Sequence, residues 1–93
     1  MSTEISAEDA LDIISNAFSP LHCGAEMFDY RYIRFRIFDA NDEGILRMER
    51  VTPDDYGFPK SLQSIIERAR SNLIRLGHSL NGWHMPSGPW QTS

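Results

Sequence analysis

The side chains in this chain that could do chemistry are few. Cys23 beside His22 suggests a nucleophile with its base. However, adjacent residues of a strand point to opposite faces, so the two cannot readily pair there. Cys23 is then read as a small core residue. A metal site would have to gather His22, His78, His84 and Cys23 with no short ligand spacing among them, unlike the close pairs that hold zinc. The carboxylate pairs Asp42-Glu43 and Asp54-Asp55 fall in turn-forming stretches and read as solvated. No glycine-rich phosphate loop, nucleophile elbow or paired-histidine helix is present. The expectation is a non-enzyme with no catalytic residue, no metal and no cofactor.

What remains is charge. Residues 1–30 carry six acids and no Lys or Arg, whereas residues 31–93 carry nine bases and seven acids. Five of the eight arginines, Arg31, Arg34, Arg36, Arg47 and Arg50, fall within twenty residues. A net charge of −4 disfavours non-specific nucleic-acid binding, but a local arginine face can still grip an anion.

The elements that must position those arginines follow from periodicity. Ala7, Ala10, Leu11, Ile14, Ala17 and Phe18 recur at helical spacing and predict a helix over about 7–18. Ser6 and Asp9 make a capping box with Asp in place of Glu, and Ile5 can staple to Ala10. Ser19-Pro20 stops the helix. Strands are expected over about 21–27, 31–38 and 45–51. The middle one is the clearest, with Ile33, Phe35 and Ile37 alternating against Tyr32, Arg34, Arg36 and Phe38. Asp39–Gly44 is a turn by composition, and Thr52–Pro59 reads as a loop. Leu62, Ile65, Ile66, Ala69, Leu73 and Leu76 mark a second helix over 60–76, ended by Gly77 in the left-handed conformation.

Register can be tested on paper, because a one-residue slip inverts every side chain. Pairing Phe38 with Ile45 puts Ile37 on Leu46, Phe35 on Met48, Arg36 on Arg47 and Arg34 on Glu49. A three-residue first loop pairs residues whose numbers sum to 58, and brings Leu21, Cys23, Ala25 and Met27 to the same apolar side. Two helices, each with one apolar stripe, then cover that side. The predicted fold is α+β, in the order α-β-β-β-α, with a three-stranded antiparallel meander and both helices packed on one face. The opposite face is left open, showing His22, Glu26, Tyr32, Arg34, Arg36, Phe38, Ile45, Arg47, Glu49 and Val51. Like charges directly across a ladder are unfavourable, so Arg36 against Arg47 either splays into water or awaits an anion from a partner, a symmetry mate or a phosphate.

The domain is expected over residues 1–77. Residues 78–93 form a tail with Trp83 and Trp90, either docked or flexible, and either an anchor or a partner-binding peptide. The candidate binding set is Tyr32, Arg34, Arg36, Phe38, Arg47, Trp83 and Trp90. It favours a protein partner or self-association as a homodimer, with an anion or nucleic acid as the alternative. No apolar run approaches the roughly 20 residues needed to cross a bilayer. The acidic first twenty residues are unlike a secretory or mitochondrial leader. One cysteine permits no internal disulfide, so a cytoplasmic location is expected.

Two resemblances accompany this reading. Ile14, Ala17-Phe18-Ser19-Pro20-Leu21-His22-Cys23, the run Ile33–Asp39 and the helix over 61–73 resemble a group of short uncharacterised proteins from pseudomonads, over about residues 10–76. That resemblance implies a small bacterial cytoplasmic domain and supplies no catalytic residue. The element order is also similar to the double-stranded-RNA-binding domain, which places a basic cluster at the start of its second helix. Here Phe58-Pro59-Lys60-Ser61-Leu62-Gln63 holds one lysine.

Overall fold

The computed structural model describes residues 4–29 and 31–86. Their order is α1 (Ala7–Asn16), β1 (His22–Phe28), β2 (Tyr32–Phe38), β3 (Gly44–Val51), α2 (Pro53–Tyr56) and α3 (Pro59–Arg75). The three strands form one antiparallel sheet in the order β1-β2-β3, giving the α+β meander expected.

Several helix ends have a local cause. The Ser6 hydroxyl accepts from the Asp9 N–H at 3.2 Å and starts α1, while Ile5 and Ala10 are both buried beside that start. At the far end of α3, Gly77 has φ +100°. Its N–H donates to the Ile74 carbonyl, and the His78 N–H donates to that of Leu73. This is a Schellman closure, which glycine enters without a Cβ penalty.

The segment expected to be a loop over 52–59 instead contains α2. Pro53 occupies a first-turn position that needs no N–H donor. The Asp55 carboxylate accepts from the Thr52 N–H at 3.1 Å and from its hydroxyl at 2.9 Å. Asp55 is therefore a capping group and not merely a solvated turn residue. Gly57 closes the turn where a Cβ would lie 2.6 Å from the Pro53 carbonyl oxygen. Tyr56 is buried, and its hydroxyl donates to the Arg31 carbonyl at 3.2 Å.

The core lies between the sheet and the helices. Ile33, Phe35 and Ile37 of β2 meet Ile13 and Ile14 of α1, Phe18 in the turn just after it, and Leu62, Ile66 and Leu73 of α3, all in one cluster. Phe18 and Phe35 stack with ring centroids 5.7 Å apart. Leu76, expected on the α3 stripe, is 66% exposed, because it lies beyond the last turn that faces the sheet.

The chain after α3 packs back on the domain. Met85 is buried in the core cluster, with Leu80 and Trp83 against it. Arg70 of α3 donates to the carbonyls of Ala17 and Asn81, each at 2.6 Å, and the Asn81 N–H donates to the Ser19 carbonyl at 2.9 Å. One guanidinium thus joins the end of the first helical segment, α3 and the returning chain.

Candidate interaction surface on the open sheet

Register decides what the outer face of the sheet displays. β2 and β3 pair Phe35 with Met48, Arg36 with Arg47 and Ile37 with Leu46, as expected from the sequence. The register shifts on both sides of this centre. Toward one end Phe38 faces Gly44, not Ile45. Toward the other, Ile33 faces Val51, which turns inward and is fully buried. Val51 therefore leaves the open face, and Arg50 joins it, its guanidinium 5.1 Å from the Tyr32 ring centroid.

The first hairpin keeps the expected faces but moves by two residues. Its pairs run from His22–Phe38 to Phe28–Tyr32, with numbers that sum to 60. A two-residue shift preserves side-chain parity, so Cys23, Ala25 and Met27 still face the core. It changes the partners, however. Glu26 stands across from Arg34, and the two form an ion pair with Nε–Oε1 at 2.6 Å. The expected Arg34–Glu49 pair is absent. Glu49 instead meets Arg47 along its own strand at 3.3 Å.

Arg36 is thus the exception on this face. Among the described residues its guanidinium has neither an ion pair nor a hydrogen bond. Its neighbours across the ladders are Arg47 on one side and Gly24 on the other. Gly24, Glu26, Arg34, Arg36, Phe38 and Arg47 help line an open depression of about 340 Å³. Phe38 lies between glycines on both flanking strands, its ring atoms 3.9 Å from a Cβ placed on Gly24 and 3.8 Å from one on Gly44.

An aromatic group adjoins this depression. Phe28 and Tyr32 have centroids 5.4 Å apart. Arg34 lies 5.4 Å from the Phe28 centroid and Arg31 6.0 Å from that of Tyr32. At these separations cation–π attraction favours the guanidinium groups beside the rings.

The structure therefore brings Tyr32, Arg34, Arg36, Phe38 and Arg47 together on one surface. Trp83 lies elsewhere, against the core, and Trp90 falls outside the described residues. Arg31 and Arg50, counted in the arginine cluster but left out of the expected binding set, belong to this surface, as do Phe28 and the two strand glycines, which sequence reasoning did not single out. A glycine within a strand often marks close approach of another group, which was the available signal.

His22 is exposed and Cys23 half-buried on the opposite side. Burial pushes the Cys23 thiol up to about 12 from 9.0, the reverse of what an activated nucleophile needs. Among the described residues no three His, Cys, Asp or Glu side chains gather as a metal site, and no helix is long and apolar enough to cross a membrane. The open face can hold a carboxylate or phosphate by guanidinium hydrogen bonds and bury aromatic surface beside it. Scans against protein-family models, curated proteins and solved structures return no match to this chain.

Proposed function

We propose that this protein is a small non-enzymatic interaction module of the cytoplasm that binds a protein partner or a second copy of itself through the open sheet face. The observation that carries this reading is Arg36, set against Arg47 with no anion of its own, beside the part-exposed ring of Phe38. A positive group next to apolar surface suits a protein carboxylate flanked by apolar side chains, since interface centres combine aromatic residues and Arg.

Phe38→Asp tests this reading. It is expected to remove assembly or partner capture while the circular dichroism spectrum stays that of the wild type. Capture and sedimentation both unchanged by the substitution would remove the basis for the proposal.

A second reading has its own support in Arg31 and Arg50 on Tyr32, and Arg34 on Phe28, a basic and aromatic surface of the kind that binds single-stranded nucleic acid. Such binding weakens steeply with salt, because phosphate contacts release counterions. Absence of RNA or DNA affinity at low salt would dispose of it.

A further inference from the structure

The two edges of the sheet are built differently. β3 carries Arg47, Glu49 and Arg50, and its pairing with β2 is interrupted twice. Charges and irregularities of this kind keep an edge strand from accepting another chain. β1 has none of these devices. Its seven residues pair with β2 without a shift, it contains no proline, and Glu26 is its only acidic or basic residue apart from His22. Among the described residues nothing pairs with its outer backbone edge. Its inward side chains Cys23, Ala25 and Met27 stay partly exposed, whereas Ile33, Phe35 and Ile37 of β2 are sealed.

We infer that β1 pairs antiparallel with β1 of a second copy about a two-fold axis at Ala25, making one six-stranded sheet. This inference rests on the reading that a protein carboxylate answers Arg36, and it names that carboxylate. An axis at Ala25 sets Gly24 opposite Glu26 of the second copy. One row on the open face then runs Arg47, Arg36, Gly24 and Glu26 of the second copy. Strands are roughly 4.8 Å apart, so Arg36 and that glutamate sit two strands apart, roughly 10 Å at the backbone. Gly24 leaves the space between them free of a side chain. Among the described residues beyond its chain neighbours, only Phe38 Cε2, at 3.9 Å, comes within 4 Å of a Cβ position there.

Symmetry repeats the row in the other copy. Each Glu26 then lies between Arg34 of its own chain and Arg36 of the other, so the surplus positive charge finds a partner on both sides. On the inner face Cys23 comes opposite Met27 of the second copy, and the part-exposed apolar row of each β1 covers the other.

That last pairing provides the test. In Met27→Cys the new thiol lies across from Cys23 of the second copy, at the roughly 4.5–5.5 Å Cα separation of antiparallel partners, within disulfide range. Within one chain the two positions are four residues apart along an extended strand, roughly 13 Å, and cannot join. Copper–phenanthroline oxidation is expected to give a covalent dimer of Met27→Cys. The same substitution on a Cys23→Ser background is expected to give none. Sedimentation equilibrium of the wild type is expected to show a dimer that Arg36→Glu weakens about tenfold or more, because two acids then face each other. A wild type that stays monomeric at all concentrations, or a dimer untouched by Arg36→Glu that does not cross-link, overturns the pairing. If Phe38→Asp still abolishes capture of another protein in that case, the open-face reading stands and only the self-pairing falls.

Discussion

Ile33, Phe35 and Ile37 are sealed from water, while Arg34 and Arg36, one step away on the same strand, are exposed. The inner face is settled within the chain: its apolar groups meet one another in one cluster, and that burial drives folding. The outer face is not settled internally. Arg34 and Arg47 have carboxylates, Arg36 faces a like charge, and all three are exposed. Strand alternation thus separates residues that hold the fold from residues left exposed, and substitutions on the two faces should fail in different ways.

The largest effect is expected inside. Phe35→Ala empties a fully buried site stacked on Phe18 and should cost about 3–5 kcal/mol. This is a large part of the roughly 5–15 kcal/mol that holds a small domain together, and chemical denaturation measures it. Cys23 reports on the same face. Its thiol ionises near 12 when folded and near 9.0 otherwise, so it should react far more slowly with iodoacetamide in the native protein than in urea. The sign follows from the raised value: stability is full below pH 9 and declines as pH climbs toward 12, where only the unfolded chain readily gives up the proton. A smaller loss, about 1 kcal/mol, is expected for Gly77→Ala, which forces an L side chain to φ +100°. On the outer face Arg36→Gln should leave stability within about 0.5 kcal/mol of the wild type, since it removes one of two like charges without opening a cavity.

Much of this contrast was legible in the sequence because alternation is strict in β2 and the pairing centre at Arg36 and Arg47 follows from matching apolar residues. What escaped shares a physical cause. Apolar matching fixes parity but not a two-residue shift, so the first hairpin's partners depended on its turn, where Asp29 takes φ 55°. The register shift that buries Val51 and exposes Arg50 leaves no mark in hydrophobic alternation. Two prolines argued for a loop over 52–59, yet one of them opens α2 and Asp55 caps it. The arginine face could be read from residue types, but Arg34 choosing Glu26 and leaving Arg36 alone could not, because that depends on the first hairpin's register.

The most direct test of the central claim is sedimentation velocity on Arg36→Glu, folded as judged by circular dichroism and compared with the wild type at equal concentration. A chain whose two sheet faces divide stability from recognition should keep its fold and sediment with the assembly lost. Where the wild type assembles, a variant that assembles equally well, or one that loses stability as Phe35→Ala should, would contradict that division.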